Sequence, residues 1–370
     1  MVAALASCGS SPPHRPKPEP TPEPEPEREP PKTEKQLAVT GAGTALERVT
    51  SEPIDETRPA ISPDGTTLLF EVRVYDKDNR TPRQQTLVAV NPNTRAQRTL
   101  YTVDTNKSDH PSWFPDGSSY VYASDAPGAW SLVRALTSSP NAAIAVIASG
   151  EVAPDVGTPT VAPDGSRIAF AMSVRDTRTV AVINSDGSHL TLLGPGTAPC
   201  WNPDGSTIVF ARTVAEHSQL FLVNPNTGTD VVQLTSGEFD NTWPYWSPDG
   251  QYVVFTSDRG WKQATESRRT NLYVIRRDGT DLTQLTQGDS ITSSPNWGKD
   301  NWIYFSSDQA GNFDVWRIRL GGKYSNLTPA TFTPVASPTL PTVPDKAGCS
   351  KDTDCKGTRI CIKHECAAPK

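Results

Sequence analysis

Apolar and polar positions alternate along this chain in a unit that recurs six times. The copies read RPAISPDGTTLLF at Arg58–Phe70, HPSWFPDGSSYVY at His110–Tyr122, TPTVAPDGSRIAF at Thr158–Phe170, APCWNPDGSTIVF at Ala198–Phe210, WPYWSPDGQYVVF at Trp243–Phe255 and SPNWGKDNWIYF at Ser294–Phe305. Two residues after each leading proline stands Ile61, Trp113, Val161, Trp201, Trp246 or Trp297, and every copy ends on an aromatic. Two residues before that aromatic lies Leu68, Tyr120, Ile168, Ile208, Val253 or Ile303. Residues at i and i+2 share one face of a strand, so each copy predicts two strands with a buried face, joined by a tight turn.

The turn chemistry agrees. In Ser-Pro-Asp-Gly the proline presets φ, the aspartate tolerates the bridge region and the glycine takes positive φ before the next strand. The sixth copy has a turn one residue shorter, Gly298-Lys299-Asp300-Asn301, without proline. Each copy continues into further β-rich segments such as TLVAVN at Thr86, LFLVN at Leu220 and NLYVIR at Asn271, then a short outer segment such as VVQLT or LTQLT. The copy in blade two is the weakest here. Four strands per unit, with leading prolines 40 to 52 residues apart, is the signature of a propeller blade. The chain is therefore expected to be all-β, a six-bladed β-propeller of four-stranded antiparallel blades over residues 45–330. An outer-strand copy stands at each end, LERVT at Leu46–Thr50 and YSNLT at Tyr324–Thr328. The N-terminal copy is expected to close the ring.

The combination P-x-W-S-P-D-G, an aliphatic–aromatic strand, LYVI and QLT resembles the propeller repeats of TolB, the periplasmic component of the Tol–Pal envelope system. The resemblance covers about residues 45 to 330 and implies an envelope protein that binds other proteins. TolB carries an α/β domain before its propeller; here a proline-rich segment occupies that place. Similar blades occur in peptidase propellers and some carbohydrate lyases.

The flanking segments add an address. Leu5-Ala6-Ser7-Cys8 resembles a bacterial lipobox, in which the cysteine becomes the lipidated first residue. Few residues precede Cys8, so the signal this implies is expected to begin upstream. Gly9 after the cysteine favours the outer membrane by the usual bacterial sorting rule. Residues 12–31 hold ten prolines, and such a segment favours an extended polyproline II spacer. At the other end, Cys349, Cys355, Cys361 and Cys366 are spaced C-x5-C-x5-C-x4-C, wider than a zinc site's usual pairs and suited to two disulfides in an exported protein. The expected organisation is a truncated signal over 1–8, a Pro/Glu-rich linker over 9–44, the propeller, a Thr/Pro-rich linker over 331–347 and a cysteine-rich tail over 348–370. The protein is read as an exported, outer-membrane-anchored lipoprotein, periplasmic or cell-surface. It meets the membrane through its lipid only.

Charge narrows the partners. A formal net charge of −6 leaves no basic footprint for nucleic acid. In a propeller the loops entering the first strands share a face with the loops joining second and third strands. Asp55, Asp109, Asp155, Asp240 and Asp289 lie on the entering loops. They could ring the channel mouth and attract a cation or a basic peptide, though aspartate is also simply a favoured turn residue. Trp243 stands where the other copies have Arg, His, Thr, Ala or Ser. The second-to-third loops are long in blades one and five. The latter carries Arg259, Trp261, Arg268 and Arg269, a composition typical of an interface hot spot. The recurring Trp113, Trp201, Trp246 and Trp297 read as inter-blade packing, and Cys200 as a lone buried thiol. No G-x-S-x-G elbow is present, and His110, His189 and His217 are not expected to converge. The reading is a monomeric, non-enzymatic module, without a cofactor beyond that cation, that binds an envelope protein or peptide. The alternatives are a propeller enzyme acting on polysaccharide or peptide, and a passive structural element.

Overall fold

The computed structural model describes residues 37–40, 42–75, 82–101, 107–125, 130–147, 155–261, 268–325, 327–330, 360–362 and 365–367. Cys8, the tether up to residue 36, the Thr/Pro-rich link, Cys349 and Cys355 lie outside the described residues. In the tail, strands Ile360–Ile362 and Glu365–Ala367 pair antiparallel, with Cys361 opposite Cys366 in the backbone register.

Six four-stranded antiparallel sheets follow one another. Blade one is Asp55–Ile61, Leu68–Tyr75, Pro82–Val90 and Gln97–Tyr101. Blade two is Ser108–Trp113, Ser119–Ser124, Ser131–Leu136 and Ser139–Ile147. Blade three is Val156–Val161, Arg167–Val174, Thr177–Asn184 and Thr191–Pro195. Blade four is Thr197–Trp201, Ile208–Val214, His217–Val223 and Val232–Gln233. Blade five is Asn241–Trp246, Tyr252–Ser257, Asn271–Arg276 and Thr283–Gln284. Blade six takes Thr292–Trp297, Trp302–Ser307 and Asp314–Leu320 from its own unit. Its outer strand is Gly43–Arg48, from the other end of the chain.

That exchange closes the ring. Arg48 pairs opposite Trp316, and the Val49 and Thr50 amides both donate to Val315 O. The closing strand starts three residues earlier than the sequence motif. A further strand, Leu37–Val39, adds to Thr286–Gly288 at the outer edge of blade five, so the linker expected up to residue 44 gives way to structure at Leu37. Among the described residues the C-terminal copy forms no strand. Gly322, at φ 59°, opens a 3-10 turn over Gly322–Tyr324. Tyr324 is drawn under Trp297 and Tyr252, with ring centroids 6.5 and 5.0 Å away. The outer position on Asp314–Leu320 is already filled by Gly43–Arg48.

Packing runs between blades. Six apolar clusters form, one per seam; Leu69 and Ala89 meet Tyr120 and Tyr122 between blades one and two, and Cys200 and Val209 meet Trp246 and Phe255 between four and five. The tryptophans serve these seams. Trp113 Nε1 donates to Ala60 O at 2.9 Å and Trp246 Nε1 to Cys200 O at 3.2 Å, each reaching the previous blade. Cys200 is a buried free thiol, and burial pushes it up to about 12.

The turns behave as their chemistry requires. In blade five the Gly250 amide donates to Ser247 O, and Asp249 Oδ1 accepts from the Ser247 hydroxyl and the Gln251 amide. Gly250 has φ 68°, and a Cβ there would lie 2.6 Å from Asn202 Oδ1 of the neighbouring blade. In the shorter sixth turn Asn301, at φ 63°, takes the left-handed position instead.

Candidate binding site at the channel mouth

The six first strands share one irregularity. In each, two residues oppose one on the second strand: Arg58 and Pro59 against Phe70, for example, or Trp243 and Pro244 against Phe255. All six shifts fall at the X-Pro pair. Proline has no N–H to leave unpaired, so an extra residue is tolerated there as a β-bulge. The residue before proline is also disfavoured in the right-handed helical region. That restriction favours extended backbone at negative φ, yet Arg58, His110, Thr158, Ala198, Trp243 and Ser294 sit at φ of 54, 50, 51, 48, 52 and 52°. Left-handed φ is uncommon outside glycine and is an outlier for a β-branched residue such as Thr158.

These bulges line a central cavity of about 290 Å³. The six X residues lie at its upper end. Its lower end is ringed by Pro63, Pro115, Pro163, Pro203 and Pro248, with Lys299 in the sixth place. The chain leaving the propeller reaches that lower end, where the Ala330 amide donates to Pro248 O.

The upper end is bridged by side chains. His110 and Trp243 come from blades two and five, which face each other across a six-membered ring. Their rings stack with centroids 5.3 Å apart and planes 19° from parallel. The Arg58 guanidinium lies 5.7 Å from the Trp243 ring centroid, within range of a cation–π contact. Arg58 is held in place by Glu71 at 2.7 Å and Asp109 at 3.5 Å. Glu71 is fully buried and also accepts from Arg73 Nε at 2.5 Å and Gln85 Nε2 at 2.6 Å. Burial, then Arg58, pushes the His110 imidazole below its ordinary range, against the opposing pull of Asp109. Burial works to raise Asp109, but His110, Arg58 and Arg73 outweigh it and hold this carboxyl below the usual range. Two arginines thus face two carboxylates. Among the described residues His110 Nε2 and Thr158 Oγ1 are buried at the mouth without a hydrogen bond; a polar ligand group can satisfy both.

The carboxylates expected to ring the mouth are not gathered into the cavity. Asp55 Oδ1 accepts the Phe313 amide, Asp155 pairs with Arg178 at 2.7 Å and Asp240 Oδ1 accepts the Ser218 amide. Asp289 pairs with Arg269 at 2.9 Å. Only Asp109 stands beside the stack. The turn role of aspartate accounts for this scatter: each satisfies groups of its own loop or neighbouring blade. Among the described residues no group of three or more His, Cys, Asp or Glu side chains is placed to hold a metal ion. In the blade-five loop, Arg259 turns inward, 4.0 Å from the Phe239 ring centroid. Trp261 is half-buried and Arg268 points to solvent, 3.6 Å from Asp240. Of the residues singled out in the sequence, Trp243 is the one at the centre of the site. Arg58, Glu71 and Thr158 were not; the signal for two of them was the variable residue before each leading proline.

No protein-family model and no curated relative matches the chain. Solved structures do. A protein assigned as TolB from Agrobacterium tumefaciens is similar at a TM-score of 0.54 and 21% identity, over 65% of this chain and 86% of that one. TolB from Acinetobacter baumannii is similar at 0.56 and 18%, over 68% of this chain, which spans 59% of that protein. The fold is a TolB-like six-bladed propeller. Oligogalacturonate lyase from Vibrio parahaemolyticus is similar too, at 0.51 and 15% over 79% and 98%, so the TolB-like fold is shared with an enzyme and does not by itself assign an activity. Among the described residues no helix is long and apolar enough to cross a membrane.

Proposed function

We propose that this protein is an exported envelope-binding module whose TolB-like propeller takes a peptide segment of a protein partner at the upper channel mouth. The observation that supports this best is the ring of six unlike side chains on six equivalent strained bulges. The scaffold fixes position, and the copies differ where a ligand would be read. Trp243 supplies a rigid aromatic platform, Arg58 a charge held by Glu71 and Asp109, and His110 and Thr158 two unpaired polar groups. Lipidation of Cys8 and the proline spacer would hold the module on the outer membrane, and two disulfides would staple the tail. Leu37, the first described residue, stands opposite Gly288, next to Asp289 of an entering loop.

The test is recovery of partners from solubilised envelopes on the full chain, on Trp243→Ala and on a chain with the blade-five loop shortened. Loss of a discrete partner with Trp243→Ala supports the reading. Unchanged recovery with Trp243→Ala and the shortened loop together refutes it and leaves a structural role. Palmitate labelling lost in Cys8→Ala, expressed behind a full signal sequence, tests the anchor separately.

A further inference from the structure

Every seam between blades contains two equivalent positions, with Val156 and Gly196 the only apolar occupants among them. One lies on the third strand of the earlier blade, two residues before the partner of the second-strand aromatic; the other lies three residues before the leading proline of the next. Between blades four and five these are Gln219 and Asn241. Thr235, beside the outer strand, accepts the Leu220 amide at 2.9 Å and donates to Gln219 Oε1 at 2.9 Å, and Asn241 Nδ2 donates to that same oxygen at 2.8 Å. Between blades five and six the positions hold Asn271 and Thr292, and Thr286 accepts the Leu272 amide at 2.9 Å. The first three seams hold Thr86 with Ser108, Ser131 with Val156, and Thr179 with Gly196. None of these residues ionises.

At the ring-closing seam the frame is the same. Thr50 accepts the Val315 amide at 2.9 Å, as Thr235 and Thr286 do in their seams. The two positions, however, are filled by Asp314 and Glu56. Both are buried, at 0% and 1% exposure. Arg48, on the closing strand, reaches Asp314 Oδ2 at 2.8 Å and offsets one charge. The other ionisable groups acting on the pair, Glu52 and Asp55, are acidic. Among the described residues Glu56 Oε2 has no hydrogen-bond partner.

We propose that Glu56 and Asp314 form an acid-strengthened clasp on the ring. A solvent proton taken up by Glu56 lets its carboxyl donate to Asp314, as the Asn241 amide donates to Gln219; loss of that proton leaves two buried anions and loosens the closing strand. Burial, aided by Asp314 and Glu52 and opposed by the Thr50 hydroxyl, raises Glu56 from 4.5 to about 7. Burial also raises Asp314 to about 6, with Arg48 opposing and Asp55 adding. A folded-state value above the ordinary one means that the native state binds the proton more tightly. The stabilisation therefore grows as pH falls through 7 towards 4.5 and is lost as pH rises through 7.

Amide hydrogen exchange of the full chain tests this, because two seams carry matched reporters. The Val49 amide donates to Val315 O and the Leu234 amide to Leu220 O, both at 2.8 Å. After correction for intrinsic exchange, protection of Val49 should be about tenfold higher at pH 5.5 than at pH 8, with Leu234 changing less than about twofold. Glu56→Gln, which carries a permanent donor, should abolish the dependence at Val49. An equal dependence at both amides, or its survival in Glu56→Gln, overturns the proposal. Should that variant not fold, the carboxyl carbon of Glu56 in the unmodified chain decides by NMR: a midpoint near 7 supports the clasp, and one below 5 overturns it.

Discussion

The two ends of the central channel are built by the same six strands and differ in kind. At the lower end five copies carry Pro-Asp-Gly, and the sixth reproduces the left-handed residue with Asn301. At the upper end the backbone repeats just as closely, with φ between 48 and 54° in all six copies, yet the side chains are Arg, His, Thr, Ala, Trp and Ser. Repetition of both backbone and side chain marks a part the fold needs. Repetition of the backbone alone, with strain retained and side chains free to differ, marks a display surface.

That contrast can be broken at several points. The largest stability loss should come from the scaffold: Trp246→Ala removes a ring that is 1% exposed and bonded to the previous blade, and should cost about 3–5 kcal/mol in urea denaturation. Gly250→Ala should cost about 1–3 kcal/mol, from left-handed φ and the close Asn202 oxygen. Trp243→Ala, an equally large truncation, should cost only about 1 kcal/mol, the worth of one stack and one cation–π contact, while abolishing partner binding. Asn301→Gly should stabilise by a few tenths of a kcal/mol, because glycine adopts φ 63° at lower cost. A Trp243→Ala loss as large as that of Trp246→Ala would erase the distinction between the two ends.

Much of the ring was legible because its signals are local. The proline-aspartate-glycine turns, the i/i+2 apolar faces and the tryptophans two residues after four of the six leading prolines depend on neighbours along the chain. The N-terminal closing strand was legible as an extra outer-strand copy, Leu46–Thr50, ahead of the first blade. The C-terminal copy YSNLT carries the same outer-strand pattern, but Tyr324 finds an aromatic pocket between Trp297 and Tyr252. The site was half legible. Trp243 broke the repeat and could be singled out, whereas Arg58 and Glu71 matter through partners that only the folded ring brings together. The aspartates recur in entering loops because loops use aspartate, and recurrence alone does not separate a turn residue from a ligand.

The central claim is that ligand recognition sits at the upper, variable end. Photo-crosslinking measures it directly, with a benzophenone side chain placed in turn at Ala198 and Ser294, the two smallest members of the ring, and at Lys299 of the lower end. In intact envelopes, a discrete adduct from Ala198 and Ser294, suppressed by excess unlabelled protein and absent from Lys299, is the predicted result. No adduct from the upper positions, or equal adducts from both ends, would contradict it.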